Sequence, residues 1–334
     1  MQVPAHVDYE RAASVEHAVA LLVRYGPEAR ILAGGHSLIP MMKLRLAQPD
    51  ILIDINRLTE LRYLRITGAE LCIGALARHA DLLESVEAGQ HFAILHDAER
   101  VIADPVVRNW GTIGGSLCQA DPSEDLSAAF AALKGTMVIR GPDGSRTVSA
   151  REFHTGPYQT VVGPAELLTE IRVPIRHGSV KAGQGRSGAG RSGTGSAYLK
   201  VARRAGDWPV GAAGAAVWLE DGVIADAGIG LTALGAPHFT AVAAEDYLLG
   251  NPPVEEHLAA AGALAAAQCR PVTDQRGPAD YKLHLAGELT TRVLRLAVAR
   301  ARVSATTSAG TGAGAGTGAE ASQAPSPARP RPTA

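Results

Sequence analysis

The chain has 334 residues, 46% of them hydrophobic, with 32 Lys+Arg against 33 Asp+Glu and a formal net charge of −1. That length suggests two domains or one with subdivisions. The even charge balance carries no electrostatic footprint for nucleic acid or an anionic membrane, and no apolar run approaches the roughly 20 residues that span a bilayer.

From the N-terminus, the stretch MQVPAHVDYERAASVEHAV lacks a basic flank followed by an apolar core, so no signal peptide is expected and the cytoplasm is the expected compartment. Ser14 followed by Val15, Ala18, Val19, Leu22 and Val23 predicts a capped amphipathic helix ending at Gly26-Pro27. A short strand (30–33), a Gly-Gly turn, a short helix and a second strand, ILIDI at 51–55, make a small β-α-β unit. The run 61–77 predicts a hairpin turning near Gly68, and helices are expected around 81–86 and 92–102. A second glycine-rich turn, NWGTIGGSLCQADPSEDL at 109–126, leads into a helix from about Glu124 to Leu133. Strands follow at TMVIRG (136–141) and ELLTEIRVP (166–174).

Residues 177–196 are rich in glycine and serine without periodicity and are expected to form a flexible loop. Beyond them, strands are predicted over AYLKVARRAGDWP and VGAAGAAVWLEDGVIADAGIGLTAL, with Asp221-Gly222 as a hairpin turn. Three helices follow, around 242–249, 254–268 and 278–300. The segment 304–334 cannot bury a core and is expected to be disordered. The expected divisions are 1–57, 58–176, 177–196, 197–303 and 304–334.

Cys72, Cys118 and Cys269 are far apart, and no CxxC motif occurs. No zinc or iron–sulfur site is expected within the chain. His91 and His96 are five apart, the wrong spacing for one helix face.

The chemistry-bearing pattern is the pair of glycine segments, Gly34-Gly35-His36-Ser37 and Thr112-Ile113-Gly114-Gly115-Ser116. Neither is a Walker-type phosphate loop or a Gly-x-Gly-x-x-Gly turn. Each sets adjacent glycines beside a hydroxyl and offers backbone N–H groups without a permanent positive charge, which suits a diphosphate cradled between two loops. Either segment alone also reads as an ordinary tight turn. Asp121 and Asp125 likewise suit plain capping of the helix beginning near Ser123.

Taken in order, AGGHSLIPMMKLRL, VRNWGTIGGSLCQADPSEDL, AYLKVARRAGDW and DYKLHLAGELTTRVL resemble the flavin-binding medium subunit of the xanthine dehydrogenase and carbon monoxide dehydrogenase family of molybdenum hydroxylases. The resemblance covers residues 1 to about 300. It implies an α+β fold: a two-part, PCMH-like FAD-binding domain, with a small β-α-β subdomain and a larger mixed-sheet subdomain. A C-terminal domain of a three-stranded antiparallel sheet and three helices would follow. It implies FAD with its pyrophosphate between the two segments. Leu32, Ala33, Gly34, Gly35, His36, Ser37 and Leu38 match the first, and Thr112, Gly114, Gly115 and Ser116 the second. Asp125 matches an acid that contacts the cofactor, Ile102 a side chain near the flavin ring, and Leu168 and Lys200 later contacts. Trp208 falls where some relatives stack a tyrosine over the isoalloxazine, with Tyr198 a rival for that role. Trp110 departs from the family, many of whose members carry arginine there.

The function so implied is electron transfer through FAD, from an iron–sulfur small subunit served by a molybdopterin large subunit, to NAD or a quinone-like acceptor. A dimer of heterotrimers is the implied assembly, and the flavin, not an acid–base side chain, does the chemistry. The competing readings are a stand-alone PCMH-type flavin oxidase and a non-catalytic scaffold that has lost flavin.

Overall fold

The computed structural model describes residues 3–176 and 192–311. Three hydrophobic cores organise it. The first unit runs β1 (Asp8–Arg11), α1 (Val15–Tyr25), β2 (Ala29–Leu32), α2 (Leu38–Lys43) and β3 (Ile51–Asp54), and its core draws on α1, β2 and β3. β3 is central in an all-parallel sheet of order β1-β3-β2, which is why all four of its side chains are buried. α1 begins at Ser14, whose hydroxyl accepts from the His17 N–H at 3.1 Å, and seals this sheet with Ala18, Val19, Leu21 and Leu22. β1 was not expected from the sequence. Its residues DYER are mostly exposed, so no apolar alternation marks a strand that is defined by pairing with β3.

The second unit runs β4 (Leu64–Thr67), β5 (Glu70–Gly74), α3 (His79–Glu84), α4 (Val86–His91), α5 (Ala93–Val101), α6 (Pro105–Trp110), α7 (Ile113–Gln119), α8 (Asp125–Ala132), β6 (Thr136–Gly141), β7 (Gly144–Ser149), α9 (Ala150–Phe153), β8 (His154–Gly156), β9 (Gln159–Thr160) and β10 (Leu167–Pro174). Its five-stranded sheet has order β4-β5-β10-β6-β7, and every pair is antiparallel. The mixture of parallel and antiparallel pairing therefore lies between the two units and not within this sheet. One expectation is corrected here. The second glycine segment is not simply a turn: Ile113–Gln119 is a helix, with Thr112 as its N-cap.

The third unit is the antiparallel sheet β11 (Ser192–Ala202), β12 (Pro209–Glu220) and β13 (Val223–Thr232), covered by α10 (Val242–Leu248), α11 (Glu255–Gln268) and α12 (Ala279–Thr311). Two expected boundaries move. Residues 192–196, assigned to the flexible loop, form the start of β11, while the rest of that loop (177–191) lies outside the described residues. α12 continues through 304–311, residues expected to be disordered, and 312–334 lie outside the described residues.

Glycine inside β11 serves close packing. A methyl group on Gly193 or Gly195 would lie 2.1 Å from the carbonyl oxygen of Ala301 or Ala297 on α12. On β13, methyl groups at Gly228 and Gly230 would lie 1.9 and 2.0 Å from the carbonyls of Ala132 and Ala128. The sheet thus seats α12 through one strand and α8 through another. α8 is buried all round and ties the second unit to the third. Gly195→Ala is expected to push α12 off the sheet and to cost about 1–3 kcal/mol, measurable as a Tm lower by several degrees. An unchanged Tm would contradict this packing.

Candidate functional site

The two glycine segments meet. A methyl group on Gly34 would lie 2.1 Å from the Trp110 carbonyl oxygen and 2.9 Å from Gly111 Cα, so only a glycine lets the first segment press against the backbone leading into α7. Gly35, at φ +75°, makes the turn. A buried clamp holds the contact. Arg78 donates through one guanidinium nitrogen to the Trp110 carbonyl and through the other to Asn56 Oδ1 at 3.1 Å. The Asn56 amide in turn donates to the Ala33 carbonyl.

The backbone N–H groups of Gly34, Gly35, His36 and Ser37 meet no acceptor among the described residues. Nearby carbonyls are engaged: Gly35 accepts from Ile39 at 3.0 Å and Ser37 from Met41 at 3.2 Å. Four consecutive donors left open along a cleft make an anion-binding surface without lysine or arginine.

The second segment differs from the expected cradle. Ile113 N–H donates to Ala77 O and Gly114 N–H to Ala75 O, both at 2.9 Å, and Ser116 N–H donates to Thr112 O at 3.0 Å. Gly115 N–H donates to the Thr112 hydroxyl at 3.1 Å. The first-turn N–H groups of α7 are thus consumed within the protein. Gly114 is needed for packing: a methyl group there would sit 2.6 Å from Ala75 Cβ.

Between the segments and the third unit lies a cleft of about 790 Å³, within the range of small-molecule sites. All sixteen residues named from the sequence line it. Leu32 to Leu38 form one wall and Thr112, Gly114, Gly115 and Ser116 the next. Ile102 ends α5, Asp125 starts α8, Leu168 lies on β10, Lys200 on β11 and Trp208 just before β12. Trp208 is 45% exposed and borders the cleft, whereas Tyr198 is buried behind Asp125 and does not line it. Of the two aromatic candidates, only Trp208 has a face available to a ligand.

The polar floor is tightly paired. Lys200 Nζ lies 2.8 Å from Asp125 Oδ2 and donates to the Val101 carbonyl at 3.1 Å. The Tyr198 hydroxyl donates to Asp125 Oδ1 at 2.7 Å. Burial pushes the Asp125 carboxyl up, against the opposing pull of Lys200 and the Tyr198 hydrogen bond. Asp125 is the first residue of α8 but does not cap it. Glu124 does, accepting from the N–H groups of Leu126 and Ser127 at 3.0 and 2.6 Å, and burial raises its carboxyl to about 7. Asp121 instead closes a turn by accepting from Ser123 N–H at 2.9 Å.

Sequence reasoning missed Asn56, Arg78, His79, Glu99 and Glu124. Glu99 left a legible trace. It falls with Ile94, Leu95 and Ala98 on the buried face of α5, and a carboxylate on an apolar stripe requires a partner. That partner is His79, whose Nδ1 lies 3.0 and 3.1 Å from the two Glu99 oxygens. His79 Nε2 lies 2.9 Å from Ser116 Oγ.

Open donors along an uncharged loop, a paired polar floor and an aromatic lip meet in one cleft of a size that suits a small-molecule cofactor. Comparison with known proteins identifies the family. Residues 5–176 match the family described as FAD binding domain in molybdopterin dehydrogenase, and residues 196–297 match the CO dehydrogenase flavoprotein C-terminal domain. The chain is 40% identical over 298 residues to the carbon monoxide dehydrogenase medium chain of Hydrogenophaga pseudoflava, covering 89% of this chain and 99% of that one. It is 33% identical to the glyceraldehyde dehydrogenase medium chain of Sulfolobus acidocaldarius, covering 87% and 98%. Among solved structures, the Hydrogenophaga pseudoflava carbon monoxide dehydrogenase lacking the Mo-pyranopterin moiety matches with a TM-score of 0.82 at 42% identity, covering 90% and 99%. Quinoline 2-oxidoreductase from Pseudomonas putida 86 matches with a TM-score of 0.78 at 30% identity, covering 91% and 99%. The chain belongs to the carbon monoxide dehydrogenase flavoprotein family, the FAD-binding medium chains of molybdopterin dehydrogenases. Relatives matched over 99% of their length are named as medium chains, which speaks against the stand-alone oxidase reading. Among the described residues no helix is long and apolar enough to cross a membrane.

Proposed function

We propose that this chain is the FAD-carrying electron-transfer subunit of a molybdenum hydroxylase. The observation that carries the reading is the run of four unmatched backbone donors, Gly34 to Ser37, on the wall of a cleft that also gathers every other residue expected to hold the cofactor. These donors, with the hydroxyls of Ser37 and Ser116, hold the diphosphate. Trp208, Ile102 and Leu168 supply apolar surface for the ring system, and Trp208 shields it from water. Lys200 and Asp125 fix the polar floor. When bound, FAD supplies the redox chemistry, and the chain's own residues bind, orient and exclude solvent.

The partners we propose are an iron–sulfur small subunit that delivers electrons and a molybdopterin large subunit that oxidises the substrate, assembled as a dimer of heterotrimers in the cytoplasm. NAD or a quinone-like compound is the final acceptor. The relatives' medium-chain names support a multi-subunit setting, as does the match to a subunit of the 6-hydroxypseudooxynicotine dehydrogenase complex of Paenarthrobacter nicotinovorans.

The test is to purify the chain and precipitate it with acid. The expected result is one FAD per chain, released entirely into the supernatant. FMN in the supernatant, colour retained in the pellet, or a colourless protein that gains no flavin when FAD is added would overturn the proposal.

A further inference from the structure

Ser116 is the α7 residue whose hydroxyl both borders the cleft and meets a buried histidine; Cys118 and Gln119 of the same helix also line the cleft. The N–H groups of its first turn are spent on Ala77, Ala75 and Thr112, and Thr112 is engaged as the cap. The Ser116 hydroxyl touches one side chain, His79, through Nε2 at 2.9 Å. Behind it Glu99 presents both carboxylate oxygens to Nδ1. His79 is 2% exposed and Glu99 fully buried, so neither exchanges its partner for water.

The chemistry of this chain of three has a definite consequence. Suppose the His79–Glu99 pair holds one acid proton. If that proton is on the imidazole, Nε2 carries hydrogen. If it is on the carboxyl, the carboxyl donates to Nδ1 and the imidazole hydrogen again sits on Nε2. In both forms Nε2–H donates to Ser116 Oγ, and the serine's own hydrogen is free to point away, into the cleft. Only when the pair loses that proton does Nε2 become an acceptor, the one remaining ring hydrogen staying on Nδ1 against the carboxylate. The hydroxyl then turns back to donate to histidine and is withdrawn from the cleft.

We propose that the buried His79–Glu99 pair positions the Ser116 hydroxyl, aiming it at an anionic oxygen of the bound ligand while the pair keeps its proton and retracting it when the proton leaves. The inference rests on the FAD reading above for the identity of that anion, the cofactor diphosphate. His79 and Glu99 are positioning residues, since neither needs to touch the ligand.

The electrostatics carry the donor form to higher pH than an ordinary imidazole would. Burial opposes charge on His79, but the Glu99 carboxylate and its hydrogen bond outweigh burial, and the imidazole is raised above its ordinary 6.5. Burial raises Glu99 as well. Both shifts make the pair retain its proton to higher pH. The other charged groups facing it are Glu124, the cap of α8, and Asp125, its first residue, which reinforce His79, Asp125 also raising Glu99, and Arg108 from α6, which opposes the rise of Glu99. The folded-state affinity for protons is increased, so the aimed hydroxyl is present below the pair's titration and lost as pH rises past it.

Glu124 and Asp125 also titrate near the cleft, so the pH dependence of the wild type alone does not isolate the effect. The test is therefore a ratio. FAD is titrated by fluorescence into the full chain stripped of flavin, wild type and Ser116→Ala in parallel, between about pH 6 and about pH 9.5. Groups other than Ser116 act on both proteins and cancel. The wild type should bind roughly tenfold more tightly than Ser116→Ala at the acid end, as expected for one hydrogen bond to a charged group, and the ratio should fall toward one at the alkaline end. In Glu99→Gln, which removes the carboxylate that holds the proton, the ratio between the proteins with and without the Ser116 hydroxyl should be flat across the range. A wild-type ratio constant with pH, or one that still falls with pH in the Glu99→Gln background, would overturn the positioning role while leaving FAD binding standing. Failure of the wild type to bind FAD at any pH would overturn both.

Discussion

Gly34→Ala is expected to yield a folded protein that has lost its flavin. The added methyl group would sit 2.1 Å from the Trp110 carbonyl oxygen and 2.9 Å from both the Trp110 carbonyl carbon and Gly111 Cα. All three are backbone atoms, so no rotamer change relieves the overlap. The carbonyl is also anchored by Arg78, which is tied through Asn56 to the same glycine loop. The loops must separate, and the four donors from Gly34 to Ser37 move with them. Losing two hydrogen bonds to a charged group, at about 1.5 kcal/mol each, is roughly a hundredfold in affinity. The contact lies at a cleft wall, outside the three cores, so the fold should persist. Absorbance of the flavin against protein, read alongside Tm, checks this.

Two neighbouring glycines sharpen the comparison. A methyl group on Gly35 meets only the side chains of Ile39 and Leu32, at 3.2 and 3.3 Å, so Gly35→Ala carries mainly the left-handed backbone penalty of roughly 1–2 kcal/mol. One on Gly115 would lie 2.6 Å from the Thr112 hydroxyl. Substitution there breaks the cap of α7, costing about 1 kcal/mol, instead of colliding with a ligand. Full FAD retention in Gly34→Ala would remove the loop contact from the account.

The second large effect concerns Lys200, whose side chain is 4% exposed and pairs with an Asp125 side chain at 5%. Lys200→Met leaves a buried carboxylate with only the Tyr198 hydroxyl for company, and such half-broken pairs cost about 3–5 kcal/mol. The sign of the pH dependence follows from the direction of the shift. Asp125 is already raised by burial, and losing Lys200 removes the principal opposing pull, so its folded-state value rises further above the unfolded one. A raised carboxyl contributes stability at low pH that is lost as pH rises through its folded value. The deficit of Lys200→Met should therefore be larger at pH 7.5 than at pH 5. Urea unfolding of both proteins at the two pH values measures it. A deficit that does not vary with pH would mean that the carboxylate is not the source of the instability.

Much of this organisation was legible in the residues. ILIDI, TMVIRG and ELLTEIRVP are apolar runs bounded by turn residues, and each is a strand. Asp221-Gly222 turns a hairpin between β12 and β13, as its dipeptide implies. The glycine segments and the residues accompanying them in order pointed to the cleft.

What escaped reading has physical reasons. Composition alone misjudged SGTGS at 192–196, because glycine there admits the carbonyls of α12 rather than loosening the chain. Glycine likewise disguised α7, whose helix is fixed by the Thr112 cap and by bonds to Ala75 and Ala77 across the fold. Arg78, Asn56, His79 and Glu99 act through contacts between units, and spacing along the chain carries no mark of those, apart from the misplaced charge of Glu99 on an apolar face.

The central claim is that the open N–H groups of the first glycine loop receive the cofactor. Hydrogen exchange, followed by mass spectrometry on the full chain with and without FAD, tests it most directly. Amides with no acceptor in the protein exchange freely until a ligand supplies one, whereas those of α7 are already bonded. The account predicts that FAD slows exchange strongly across Gly34 to Ser37 and changes Ile113 to Gly115 much less. Saturating FAD that leaves the 34–37 amides exchanging as fast as before, with protection appearing elsewhere, would contradict it.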